Sequence, residues 1–262
     1  MPVTVTELAT APVKGMRLHG TSEIRLDQRG VAGDREFLVV GADGTLLLTS
    51  RTPALVQVGA AWDRAHDVLA LHFPDGSVVQ DTPEPGDFAV TRTYDGREIP
   101  GWLIPGPLSA ALSDFLGREV QLFRREPEHM GADDQPVTLM SEASLQALAP
   151  EFSGTAPDPR RFRMTITITG TDEAWAEEGW GGQQVAIGEA ILRVIAPVPR
   201  CVVTTRNPDS GATDARVLHA LARLRGKNEI NFGVWCDIIR PGVIRVGDLV
   251  VGPDPLADSL AG

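Results

Sequence analysis

Residues Pro197-Val198-Pro199-Arg200-Cys201-Val202-Val203-Thr204-Thr205 place one of the chain's two cysteines directly after an arginine and ahead of a β-branched run. Val and Thr are stiff at χ1 and fit a pleated surface, so positions 201–205 read as a strand. Two readings of Cys201 stand side by side. A lone cysteine on an apolar strand packs as a small hydrophobe, whereas a cation next in sequence favours the thiolate, which binds soft metals.

Outward from this segment the same pattern of short β-rich runs broken by Gly, Pro and Asp continues in both directions. In the last third it predicts strands over 162–169, 184–187, 190–195, 232–239 and 243–251, interrupted by an amphipathic helix over 216–224. In the first third it predicts strands over 3–8, 22–26, 36–40, 45–49, 55–62, 68–73 and 77–80, with a hairpin signal at Asp43-Gly44. The nearly continuous apolar run Val68-Leu69-Ala70-Leu71-His72-Phe73 reads as a strand covered on both faces. Helices are expected over 107–116, where Pro107 suits the first turn and Gly117 the stop, and over 141–148. The fold class is therefore mainly β (α+β), with few short helices and barrel-like sheets. The polar stretch 126–136 reads as a loop at a boundary, dividing the chain into 1–125, 126–252 and a loose tail, 253–262.

The 262 residues suffice for a proper core, and 42% hydrophobic with 23% charged residues is the balance of an ordinary globular protein. A net charge of −11 argues against nucleic acid or an anionic membrane as a partner. No stretch approaches a membrane span and the N-terminus lacks a signal-peptide pattern, so a cytoplasmic location is expected. Cys201 and Cys236 are too few for a disulfide scaffold and too far apart for a CxxC pair. HExxH, GxGxxG and Walker motifs are absent.

Several segments in order along the chain carry a family resemblance. Pro12-Val13-Lys14-Gly15 and Gly30-Val31-Ala32-Gly33-Asp34-Arg35 resemble the N-terminal β-barrel domain that precedes MOSC domains. Phe162-Arg163-Met164-Thr165-Ile166, the Arg200-Cys201-x-x-Thr204-Thr205 segment, Asn207-Pro208-Asp209-Ser210-Gly211 and Arg240-Pro241-Gly242 through Gly247-Asp248 resemble the MOSC domain itself. Ser141-Glu142-Ala143-Ser144-Leu145 is similar to a stretch between the two. The pattern is nearest to the amidoxime-reducing components and to bacterial proteins that reduce N-hydroxylated compounds.

This resemblance implies a MOSC-type β-barrel domain packed with an N-terminal β-barrel-like domain, and a molybdenum cofactor (Mo-molybdopterin) whose metal is ligated by Cys201. It assigns Lys14, Arg35 and Arg163 to the pterin or its phosphate, adds Arg200 as the neighbour of the ligand, and carries over Asp134 and Gln135 from a cofactor-contacting loop. Gly15 stands where relatives often have Ser and offers only a backbone N–H; Thr165 follows Met164 where many have Asn after Pro. The implied activity is reduction of a small N-hydroxylated substrate, an amidoxime or hydroxylamine. With no four-cysteine cluster in the chain, the electrons are expected from an external donor: a ferredoxin, a flavoprotein or a cytochrome b5-like protein. MOSC domains also end molybdenum cofactor sulfurases, so the alternative is a carrier of cofactor or persulfide sulfur. Cys236 is read as structural.

Overall fold

The computed structural model describes residues 1–131 and 134–252; the expected tail, 253–262, lies outside the described residues. Among these the protein is mainly β, with three α-helices, Pro107–Leu116, Glu142–Gln146 and Val217–Arg225. An eight-stranded sheet runs in the order Val250–Val251, Gln184–Ile187, Ala190–Pro199, Asn231–Arg240, Val137–Ser141, Ile166–Thr169, Thr4–Thr10, His19–Thr21. A four-stranded sheet orders Phe37–Gly41, Val120–Arg125, Glu98–Ile104 and Phe88–Arg92. Two three-stranded sheets complete the molecule: Gly242–Arg245, Glu23–Asp27, Gly30–Val31, and Gly59–Asp63, Val68–His72, Val78–Asp81.

Strands from both ends of the chain share sheets. Thr4–Thr10 pairs antiparallel with Ile166–Thr169, and Glu23–Asp27 with Gly242–Arg245. These ladders bury Val5, Leu8, Ile24 and Leu26 in one core with Val137, Ile166, Ile168 and Ile244. Phe37, Leu55, Leu69, Leu71, Leu108 and Leu112 centre a second core under the N-terminal sheets. A third, smaller core gathers Met140, Phe162, Met164, Val198, Leu221 and Phe232, directly behind the segment that carries Cys201.

Several expectations change, and the strand expected over 45–49 reduces to a single bridge between Leu46 and Val40. Residues Val202–Thr205 form a 3-10 helix rather than a strand. The Thr204 hydroxyl donates to the Cys201 carbonyl at 3.0 Å and the Thr205 hydroxyl to the Val202 carbonyl at 2.7 Å; this back-bonding offers the backbone a tight turn despite the β-branched side chains. The strand Val68–His72 is buried on one face only, because Leu69 and Leu71 point inward while His72 is exposed. The run 55–62 divides into a 3-10 helix, Pro53–Gln57, opened by a proline, and the strand Gly59–Asp63.

Candidate functional site

The long strand Ala190–Pro199 leads to Cys201; its pairing with Asn231–Arg240 shifts register at three places, the last between Pro197 and Pro199, which lack N–H groups. Arg200 restores contact, its N–H donating to the Ile230 carbonyl at 2.8 Å. Cys201 then stands at the N-cap of the 3-10 helix in extended conformation, φ −117°, with its thiol exposed. Cys236 is buried, and burial pushes its thiol up to about 12; it packs as a core side chain.

The Arg200 side chain turns inward. Its Nε donates to the Phe232 carbonyl at 2.9 Å and Nη1 to the Phe162 carbonyl at 2.9 Å, while Nη2 reaches the Phe232 carbonyl and, at 2.7 Å, the Met164 sulfur. The guanidinium lies 5.6 Å from the Phe162 ring and 5.9 Å from the Phe232 ring, which stack at 3.9 Å. The residue keeps partial solvent contact, yet its charged end is desolvated. Burial pulls the guanidinium down to about 9, with the charge of Cys201 acting the other way, so the group is cationic at neutral pH.

Beyond Phe162 the contacts reach the other basic residues. Arg163, in left-handed conformation at φ 53°, caps the 3-10 helix Pro159–Phe162 and donates Nη2 to the Met16 carbonyl at 2.8 Å. Two residues earlier, Lys14 is buried and gives its Nζ to the Gly131 carbonyl at 2.9 Å. Gly131 in turn lies against Arg35: a Cβ on it would come within 2.0 Å of the Arg35 carbonyl. Arg35 pairs with Asp34, whose other oxygen accepts the Ala11 N–H at 2.7 Å. Two sets of contacts result: Arg200 reaches Phe162, whose neighbour Arg163 reaches the Met16 carbonyl, and Lys14, two residues before Met16, meets Arg35 at Gly131.

Gly15 occupies left-handed backbone, φ 85°, over Thr49 and Leu55. Asp134 is contacted by the Tyr94 hydroxyl at 3.4 Å, which ties its loop to the hairpin of Phe88–Arg92 and Glu98–Ile104; Gln135 is half-buried beside it. Thr165 is buried and bonded to Thr138.

Residues that sequence reasoning passed over hold the Cys201 turn from behind. Arg160 forms an ion pair with Asp209 at 2.8 Å, and Arg161 pairs with Asp214 at 2.8 Å while donating to the Arg206 carbonyl at 2.7 Å. Gln57 Nε2 donates to the Ser210 carbonyl at 2.9 Å, attaching the loop after Cys201 to the N-terminal half of the chain. The signal was present: three arginines at 160, 161 and 163 stand out in a chain of net charge −11. A cleft of about 670 Å³ borders the Lys14 and Arg35 end of this arrangement, lined by Asp34, Trp62, Arg64, Arg124 and Gly131 among others; Cys201 does not line it.

Comparison with known proteins assigns the chain to a family. The MOSC N-terminal beta barrel domain matches residues 2–99 and the MOSC domain matches residues 126–251. The chain is a MOSC protein. It is 28% identical to mitochondrial amidoxime-reducing component 1 of Xenopus laevis, over 94% of this chain and 81% of that one. The human protein of the same name is 26% identical over 94% and 82%. A molybdenum cofactor sulfurase of Danio rerio is 24% identical over 88% of this chain but only 31% of its own length. The crystal structure of the YUAD protein from Bacillus subtilis aligns with a TM-score of 0.47 at 13% identity, covering 95% of this chain and 94% of that one. The chain is thus a MOSC protein related to molybdenum-cofactor proteins, and Cys201, Arg163, Lys14 and Arg35 lie within its two matched domains.

Proposed function

We propose that this MOSC protein binds a molybdenum-pterin cofactor through Cys201 and reduces N-hydroxylated compounds with electrons from a separate protein. The observation that supports the reading is the exposed Cys201 thiol directly after Arg200, whose guanidinium is bonded to the Phe162 carbonyl next to Arg163; Lys14 and Arg35 meet separately at Gly131.

The donor set favours a cofactor over a bare ion. Among the described residues no group of three His, Cys, Asp or Glu converges to hold a metal. A single exposed thiol suits a metal that arrives with most of its ligands already attached, as a dithiolene-bound molybdenum does, and a soft thiolate completes such a set.

When bound, the cofactor supplies two-electron oxygen-acceptor chemistry: N–OH with two electrons and two protons becomes N–H and water. Cys201, being exposed, would hold the metal through its thiolate. Arg163, Lys14 and Arg35 offset the charge of a pterin phosphate, which an acidic protein can retain only at placed cations. Asp134 and Gln135 border the same loop. The small-molecule substrate is an amidoxime or hydroxylamine, and the electron donor a ferredoxin, flavoprotein or cytochrome b5-like protein. The relatives named as amidoxime-reducing components support this assignment.

Cofactor-replete protein given an artificial one-electron donor is expected to turn over a simple amidoxime many times per molybdenum. Stoichiometric release of cofactor or sulfur to an acceptor protein, with no repeated turnover on amidoximes or hydroxylamines, would replace this reading with the carrier role suggested by the sulfurase relative.

A further inference from the structure

We infer that Arg200 is a positioning residue that fixes the orientation of the Cys201 thiolate; this rests on the reading of Cys201 as the metal ligand. The backbone alone is poorly equipped for that task. Pro197 and Pro199 remove two ladder donors from the strand end, and the register with Asn231–Arg240 shifts between them. Cys201 is the second residue beyond Pro199, and the helix it caps is only four residues long. The Arg160 and Arg161 pairs hold the loop that follows Cys201, but the strand end that precedes it needs a tie of its own.

Arg200 supplies the tie from both its backbone and its side chain. Its N–H holds Ile230, while the guanidinium joins the Phe232 carbonyl on one strand to the Phe162 carbonyl at the end of the 3-10 helix Pro159–Phe162. The planar fork can satisfy both carbonyls at once because its donors are rigidly spaced. The stacked Phe162 and Phe232 rings support its position. The same bond to Phe162 sets the place of the next residue, Arg163, so one guanidinium fixes the distance between the metal ligand and a basic residue assigned to the cofactor. A lysine carries equal charge but only a point ammonium on a flexible stem. It would hold one carbonyl and release the other.

The test compares Arg200→Lys with the parent, both loaded with cofactor. A loosely oriented ligand should broaden or split the electron paramagnetic resonance signal of the partly reduced molybdenum. It should also lower kcat by about 10- to 100-fold, the usual effect of losing a residue that orients a metal ligand, with KM little changed. A sharp, parent-like signal with parent-like kcat would overturn the inference and leave the assignment of Cys201 intact. Retained molybdenum and turnover in Cys201→Ser would instead remove the reading on which it rests. Should Arg200→Lys fail to fold, Phe162→Leu keeps every acceptor of Arg200 and removes only one supporting ring; the same spectral heterogeneity is expected in milder form, and an unchanged spectrum counts against the role.

Discussion

Replacing Gly211 by Ala should destabilise the protein by about 2–4 kcal/mol. Gly211 is buried in the loop that follows the Cys201 turn, with φ at 75°. A side chain in that left-handed region costs roughly 1–2 kcal/mol, and the added Cβ would stand 2.4 Å from the Pro53 carbonyl oxygen and 2.8 Å from its carbon. Both obstructing atoms are backbone, so the loop or the Pro53–Gln57 helix has to shift. Overpacking of this kind costs about 1–3 kcal/mol, offset by about 0.4–1 kcal/mol from the stiffer unfolded chain. The shift would also loosen the Gln57–Ser210 bond at 2.9 Å and the Arg160–Asp209 pair. Thermal unfolding followed by near-ultraviolet circular dichroism should show a midpoint lower by roughly 5–15 °C at about 2–4 °C per kcal/mol. Gly211→Asn separates the two causes, because Asn tolerates left-handed backbone yet keeps the collision. It should recover most of the roughly 1–2 kcal/mol backbone cost and keep the about 1–3 kcal/mol of the collision. An unchanged midpoint in Gly211→Ala would refute the claim that this loop is docked on Pro53.

Thiol titration of native protein without cofactor should count one reactive cysteine at pH 8, Cys201, since Cys236 is buried and its thiol is pushed up to about 12; Cys201→Ser should show none until denaturant is added, and two reactive thiols in the folded parent would contradict the placement of Cys236. His19 is held below its ordinary value by burial, then by the charges of Arg17 and His72. Its neutral form is therefore favoured by folding. That contribution is present above the unfolded value of about 6.5 and lost as pH falls through the lower folded pKa. The unfolding midpoint should drop as pH falls below about 6.5, and His19→Gln should flatten that loss. A separate loss below about pH 4 should follow Asp209 and Asp214, held low chiefly by hydrogen bonds from Arg160 and Arg161. Arg163→Ala and Arg35→Ala should each shed pterin faster than the parent during dialysis; equal retention would show that neither holds the cofactor.

The amino-acid sequence disclosed elements whose ends carry strong local signals. Pro107–Leu116 is legible because Pro107 opens it and Gly117, in left-handed conformation, closes it. Gln184–Ile187 is equally plain between turns. The strand Glu98–Ile104 was missed for a physical reason: Pro100 argues against an interior strand, yet here it pairs with Val90 while Gly101 lets the neighbouring strand approach, where a Cβ would meet the Arg124 carbonyl at 2.2 Å. The Cys201 turn was misread because hydroxyl back-bonding outweighed β-branching, a contest that composition does not reveal.

The arrangement of the expected site residues was beyond what local sequence pattern carries. Lys14 reads as an ordinary cation in an acidic chain, whereas burial and the bond to Gly131 make it part of the framework. Arg200 reads as the neighbour that acts on the thiol, whereas its donors are directed to Phe162 and Phe232. Long-range partners of this kind lie 32 and 38 residues away in sequence, beyond the reach of local pattern.

The central claim is tested most directly by measuring molybdenum in protein purified from a host that makes the cofactor, for the parent and for Cys201→Ser side by side. The account predicts near-stoichiometric molybdenum in the parent and its loss from a folded Cys201→Ser variant. Equal molybdenum in both, or none in either when the host's cofactor supply is ample, would contradict it.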